Sequence, residues 1–155
     1  MSESIKDQLQ AALTTAMRAR DDVALSALRQ ALSAIAVAET SGNEQVVLSD
    51  AQVLAVLAVE VRQHHETADA FVTADRPDKT ERERAEAAVL EAYLPTALSA
   101  EELDGIIDAE IAAAAADGAT GMKAMGRVVS AVRGKAGPTA DGAAIAAKVK
   151  SALSA

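Results

Sequence analysis

The sequence of 155 residues contains no cysteine, so disulfides, iron–sulfur clusters and thiol catalysis are excluded. It has one phenylalanine, Phe71, one tyrosine, Tyr93, and no tryptophan. No apolar run approaches the roughly 18–20 residues that a membrane-spanning helix needs. The polar first residues also lack the apolar segment of a secretory signal. We therefore expect a soluble, cytoplasmic protein that makes no contact with membranes.

Alanine is abundant in the chain. Half of the residues are apolar, mostly Ala with Leu and Val, and Ala and Leu are among the strongest helix formers. Ile5, Leu9, Leu13 and Met17 recur every four residues, which places them on one face of a helix. The sequence predicts an all-α fold without strands.

Breaks in the helical pattern divide the chain into seven predicted helices. The breaks are polar, glycine or proline segments at Asp21-Asp22, 40–43, 75–78, Pro95, 118–121 and 134–142. Ser49 with Gln52, and Ser99 with Glu102, have the spacing of a capping box at a helix start. We place the domain boundary at Leu94-Pro95. This gives a four-helix N-terminal subdomain, residues 1–94, and a three-helix C-terminal subdomain, residues 95–155.

The net charge of −8 is distributed unevenly along the chain. Residues 1–118 carry nine Lys or Arg and 22 Asp or Glu, whereas residues 119–155 carry six cations and one acid, Asp141. Such an asymmetry can mark an anion-binding surface on an acidic protein. A chance run of solvated charges explains the count equally well. The six cations are Lys123, Arg127, Arg133, Lys135, Lys148 and Lys150.

No arrangement of residues indicates catalysis or metal binding. His64 and His65, the two histidines, are adjacent, so on a helix they point about 100° apart and cannot easily share one metal ion. We interpret both as part of a solvated helix face. Around Lys135 the phosphate-loop pattern G-x-x-x-x-G-K-[ST] is incomplete. We expect no catalytic residue, no metal ligand and no cofactor.

The sixth predicted helix, residues 122–133, has an apolar side and a basic side. Lys123 and Arg127 lie on the basic side, and Arg133 lies at its edge. The predicted loop after this helix begins with a glycine and a lysine, where backbone N–H groups can approach a phosphate. The candidate phosphate-binding residues are therefore Lys123, Arg127, Arg133, Gly134, Lys135, Lys148 and Lys150.

Several motifs resemble those of the YqeY-like proteins, and they occur in order along nearly the whole chain. The segment from Tyr93-Leu94-Pro95 to Leu98-Ser99-Ala100-Glu101-Glu102-Leu103 is similar to that family's YLP…LS.EEL signature. Met125-Gly126-Arg127-Val128-Val129 is similar to its MGKVM segment, with Val129 where the family often has Met. Gly134-Lys135-Ala136 and Asp141-Gly142 are similar to its GKADG loop, with Gly137-Pro138-Thr139 inserted here.

The resemblance carries an expectation about function. The C-terminal part of this family is related to the tail domain of the GatB subunit of glutamine-dependent tRNA amidotransferases. That tail contacts tRNA, and other domains carry out the chemistry. The resemblance therefore implies a non-catalytic accessory module that binds tRNA or another structured RNA. The seven candidate phosphate-binding residues would then be its RNA-binding residues.

Two alternatives stay open. The first is a protein-interaction module whose acidic helical bundle docks a basic protein partner. The second is a subunit associated with a carbon–nitrogen ligase that uses glutamine as amido donor, with catalysis on other chains.

Overall fold

The computed structural model of the protein describes residues 2–137 and 140–155. These residues form seven α-helices and one 3-10 helix and contain no strand, which confirms the all-α prediction. The helices are α1 (Ile5–Ala19), α2 (Asp22–Thr40), α3 (Asp50–Thr73), α4 (Pro77–Glu91), α5 (Ala100–Ala116), α6 (Met125–Ala136) and α7 (Gly142–Ser154), with the 3-10 helix at Gly121–Ala124.

The chain divides into two compact units, Met1–Leu94 and Pro95–Ala155, which we call the N-terminal and the C-terminal unit. The N-terminal unit contains α1 to α4, and the C-terminal unit contains α5, the 3-10 helix, α6 and α7. Across the described ranges, none of the helices combines the length and the apolar character that spanning a membrane requires.

Five of the seven α-helices in the described ranges begin at a short polar side chain that accepts a free backbone N–H group. Ser49 Oγ accepts the N–H of Gln52 at 3.3 Å, and the Gln52 side chain accepts the N–H of Ser49 at 2.9 Å. Ser99 and Glu102 make the same reciprocal pair at 3.1 and 2.8 Å. Both predicted capping boxes are confirmed.

Large aliphatic side chains form the core of the N-terminal unit. Helix α3 packs along α4, and α2 contacts the other three helices. Alanines of α2 and α4 are also completely buried, and their small side chains let the helices approach closely. The largest fully buried side chains of this unit are Leu9, Leu28, Ile35, Val53, Leu57 and Leu90.

A buried carboxylate connects α1, α2 and the segment before α3. Glu39 Oε2 accepts a hydrogen bond from Lys6 Nζ at 2.6 Å, and Oε1 accepts one from the Leu48 N–H at 3.2 Å. The bond from Lys6, followed by that from the Leu48 amide, holds the pKa of Glu39 below its ordinary value. Glu39 therefore holds the connection between α2 and α3 against the first turn of α1.

A separate aliphatic core holds the C-terminal unit together. It contains Ile107 of α5, Val128 and Val132 of α6, and Ile145 and Val149 of α7. Within α6 and α7 these residues lie four apart, which places each pair on one helix face. Helix α6 contacts both α5 and α7.

The sixth helix differs from its predicted bounds. Its first turn is the 3-10 helix, and α6 continues to Ala136 rather than ending at Arg133. The predicted loop at 134–142 is therefore wrong for Gly134, Lys135 and Ala136, which lie in the last turn of α6, and for Gly142, which begins α7.

The end of α6 explains this difference. A glycine inside a helix costs only about 1 kcal/mol relative to Ala, so Gly134 does not stop the helix. Helix α6 ends where a glycine has a positive φ, at Gly137 with φ +81°. Of the inserted residues Gly137-Pro138-Thr139, the last two lie outside the described residues.

Replacing Ser99 by Ala removes the oxygen that accepts the Glu102 N–H. We expect the free energy of unfolding to fall by about 0.5–2 kcal/mol, measured by urea denaturation. Ser130→Ala is the matched control because Ser130 is exposed inside α6, and it should change stability by less than about 0.5 kcal/mol. Equal losses in the two variants would contradict the capping role.

The lowered pKa of Glu39 predicts a pH dependence of stability. Because the folded-state pKa lies below the ordinary value of 4.5, ionised Glu39 stabilises the fold above about pH 4.5. This stabilisation is lost as the pH falls through the lowered pKa. Between pH 7 and pH 3, Glu39→Gln should therefore lose less unfolding free energy than wild type, as measured by urea denaturation at each pH.

The control for this prediction is Glu44→Gln, because Glu44 is exposed in the same connection. It should follow the wild-type pH profile. A Glu39→Gln profile parallel to that of the wild type would show that the buried carboxylate does not contribute to acid sensitivity.

Candidate functional site

The seven residues predicted from sequence to bind RNA all lie in the C-terminal unit. Lys123 is on the 3-10 helix, α7 carries the last two cations, and the other four residues are on α6. Five of the six cationic residues are exposed, and Lys148 is partly buried. Their position on the surface makes an anion-binding role geometrically available to each.

Three of the six cations already have acidic partners within this unit. Arg127 pairs with Asp117 at 2.5 Å, and Lys148 pairs with Asp104 at 2.8 Å. Lys135 forms an ion pair with Glu110 of α5. Because α6 and α7 pack on α5, the acids of α5 neutralise part of the basic segment.

The C-terminal unit as a whole is close to neutral. Residues 95–155 carry six cations and seven acids, a net charge of −1 rather than the +5 of residues 119–155. Residues 1–94 carry nine cations and sixteen acids, a net charge of −7. The basic tail read from the sequence is therefore one side of a nearly neutral unit.

The other three cations, Lys123, Arg133 and Lys150, have no carboxylate within ion-pair distance among residues 2–137 and 140–155. The Arg133 guanidinium instead covers Gly142, the first residue of α7, where an added Cβ would lie 3.2 Å from Arg133 Cζ. Arg133 also lines a shallow surface groove of about 460 Å³ between α6 and α7. We call these three residues the unpaired cations.

The backbone arrangement predicted around Gly134 and Lys135 is absent. Both residues are helical, so their N–H groups point along α6 and not into a loop. The next amide, that of Gly137, donates to the Arg133 carbonyl at 3.1 Å. A contribution of Gly134 and Lys135 to RNA binding stays a prediction, but it cannot use a loop of free amides at these two residues.

A second cluster lies between α3 and α4, and sequence analysis missed it. His64 is 5% exposed, so its assignment to a solvated face is wrong. Its Nδ1 lies 2.7 Å from Glu83 Oε2 and 3.8 Å from Glu86 Oε2. His65 points away and pairs with the exposed Glu91, so the two histidines do diverge as expected. We call His64, Glu83 and Glu86 the His–Glu–Glu cluster.

Neighbouring residues hold the cluster. Glu86 is 3% exposed, and its Oε1 accepts a bond from Arg82 Nε at 3.0 Å. The Gln30 amide of α2 donates to Glu86 Oε2 at 3.4 Å. Each of the cluster's three side chains offers one possible ligand atom, and these atoms lie within 4.8 Å of one another. The cluster could therefore hold a metal ion.

The spacing of the apolar residues in α3 indicates that His64 is buried. Leu57, Val61 and Ala68 form the buried stripe of α3, and position 64 continues it with spacings of four, three and four. A histidine at such a position faces the neighbouring helix rather than solvent. The carboxylates that meet it depend on the pairing of α3 with α4, which periodicity within α3 does not reveal.

Comparison with known proteins shows which family the chain matches. The family described as Yqey-like protein matches residues 6–153, which covers both units. No curated protein matches the chain.

The burial of Glu86 predicts an effect on stability. Glu86→Ala removes a buried carboxylate together with its hydrogen bonds from Arg82 and Gln30, so the unfolding free energy should fall by about 1–3 kcal/mol. Glu91→Ala is the matched control on the same helix, and because its pair with His65 is exposed it should cost less than about 1 kcal/mol. Thermal and urea unfolding measure both. Equal losses would show that burial of Glu86 has no energetic consequence.

Proposed function

The chain belongs to the Yqey-like protein family, and we propose that it is a non-catalytic accessory protein that binds tRNA or another structured RNA. The proposal places the RNA contacts in the C-terminal unit. It rests on the sequence resemblance of this part of the chain to the tRNA-contacting tail of the amidotransferase subunit, and on one structural observation.

That observation is the set of unpaired cations. Lys123, Arg133 and Lys150 lie on the 3-10 helix, α6 and α7, three elements that contact one another. All three residues are exposed and have no acidic partner in the described ranges. Lysine and arginine side chains of this kind contact phosphate oxygens and release the counterions that these phosphates hold.

The mode of recognition follows from composition. Neither Phe71 nor Tyr93 belongs to the C-terminal unit, so base stacking on aromatic side chains is not available there. Recognition would therefore use the shape and the phosphate backbone of a folded RNA. We propose about three phosphate contacts rather than six, since Arg127, Lys135 and Lys148 are engaged by carboxylates.

We further propose that the two units act as a four-helix and a three-helix subdomain with different roles. The N-terminal unit carries a net charge of −7 and should repel RNA across much of its surface. Its role would be to position the C-terminal unit in a larger assembly.

A protein-interaction module is the second candidate function, and one observation favours it. Val46 and Val47, in the connection before α3, are 51% and 86% exposed, and Val37 on α2 is 65% exposed. Exposed apolar side chains on an acidic unit suit a partner with basic and apolar groups. Such a partner could belong to a carbon–nitrogen ligase, the association that the family resemblance implies.

A salt titration of folded tRNA tests the first proposal. Each lost phosphate contact lowers the slope of log affinity against log salt by about 0.7–0.9. The double variant K123Q/K150Q should therefore flatten the slope by about 1.5–2 units, and addition of R133Q should bring this to about 2–3 units.

The matched control removes whole ion pairs from the same unit. The variant R127Q/D117N/K148Q/D104N keeps the net charge of wild type and removes two paired cations, so slope and affinity should stay close to the wild-type values. Equal slopes for wild type and K123Q/K150Q would overturn the RNA proposal. Recovery of a protein partner that is lost on V46S/V47S substitution would then favour the interaction module.

A further inference from the structure

We propose that the His–Glu–Glu cluster is a binding site for a first-row divalent metal ion, with Zn²⁺ and Mn²⁺ as the best matched. The ligands would be His64 Nδ1, one oxygen of Glu83 and Glu86 Oε2. This site lies in the N-terminal unit and is independent of the RNA proposal.

The distances between ligand atoms fit a metal. For bonds of about 2.1 Å, two ligand atoms lie about 3.4 Å apart around a tetrahedral ion and about 3.0 Å apart around an octahedral one. The observed separations from His64 Nδ1 are 2.7 Å to Glu83 and 3.8 Å to Glu86. Shifts below 1 Å would bring both carboxylates to coordinating distance.

The side chains around the cluster favour such a shift. The Glu83 side chain is 24% exposed, so it can move and can admit an ion from solvent. Glu86 is oriented by Arg82 through Oε1, which leaves Oε2 with one long hydrogen bond, that from Gln30 at 3.4 Å, and free to approach His64 Nδ1. An outer partner that orients a ligating carboxylate in this way is typical of metal sites.

The charges of the cluster also favour a cation. Two carboxylates face a single guanidinium, that of Arg82, among the residues that contact them. His64 Nε2 is buried and has no hydrogen-bond partner among the described residues, so Nδ1 is the ring nitrogen that reaches the carboxylates.

The donor set indicates which ions should bind. One imidazole nitrogen with two carboxylate oxygens suits Zn²⁺, Mn²⁺ or Fe²⁺, whereas Mg²⁺ and Ca²⁺ prefer oxygen ligands alone. Because His64 belongs to α3 and both glutamates belong to α4, the ion would bridge the two helices. Binding should therefore stabilise the folded chain.

The test uses the full-length chain, stripped with a chelator and then titrated with ZnCl₂ or MnCl₂. Isothermal titration calorimetry gives the dissociation constant, and at a metal concentration of about 100 times this constant Tm should rise by about 5–10 °C. NMR signals of the His64 ring should shift on addition of Zn²⁺, and those of His65 should not.

Variants separate this site from adventitious binding. Glu83→Gln should weaken binding by about 10–100-fold, since loss of a direct ligand costs at least as much as loss of an outer-shell partner. Glu91→Gln is the matched control, because Glu91 lies on the same helix and pairs with the other histidine. Its affinity should equal that of wild type.

Two results would overturn the proposal. One is the absence of saturable one-to-one binding of either metal ion. The other is equal affinity in Glu83→Gln and Glu91→Gln, which would place the ion on surface carboxylates. Glu83 is partly exposed, so its variant should fold even if substitution of Glu86 or His64 does not.

Discussion

The turn between α3 and α4 is the constraint on which the N-terminal unit depends. Asp75 adopts a left-handed backbone with φ +53°, a conformation that Asp tolerates better than most residues. The Arg76 N–H bonds back to the Phe71 carbonyl at 2.9 Å, and Pro77 begins α4 at once. The buried Thr80 hydroxyl bonds to the Arg76 carbonyl at 3.1 Å. This turn fixes the register of the two helices.

The register determines which side chains meet. It brings His64 to Glu83 and Glu86 and places His65 beside Glu91, although the two histidines are neighbours in sequence. A shift of one residue along α4 would replace a carboxylate with the arginine at position 82 or 84. The His–Glu–Glu cluster is thus a consequence of a turn at Asp75, which lies 11 residues after His64 and eight before Glu83.

Much of the fold could be predicted from local sequence, and the limits follow from physics. Capping boxes at Ser49 and Ser99 and the four-residue apolar spacing are properties of a single helix, so they were read correctly. The end of α6 was misplaced because Gly134 and Gly137 are both plausible stops, and only the backbone conformation separates them. The ion pairs could not be predicted for a similar reason. A count of charges along the chain cannot show that α5 packs against α6 and α7 and supplies Asp104 and Glu110 to their cations.

An acidic protein can bind RNA only if its basic residues lie apart from its acidic ones. The Debye screening length sets the distance that is needed. At physiological salt the Debye length is about 8 Å, so an exposed carboxylate affects a phosphate mainly from within that distance. The C-terminal unit, with a net charge of −1, imposes little general repulsion. The three unpaired cations can then attract phosphate groups locally. The same argument limits its strength, because roughly three contacts give weak binding that high salt abolishes. Tight association with RNA would therefore need further contacts from a partner, and for this reason an accessory role fits the C-terminal unit better than independent recognition of RNA.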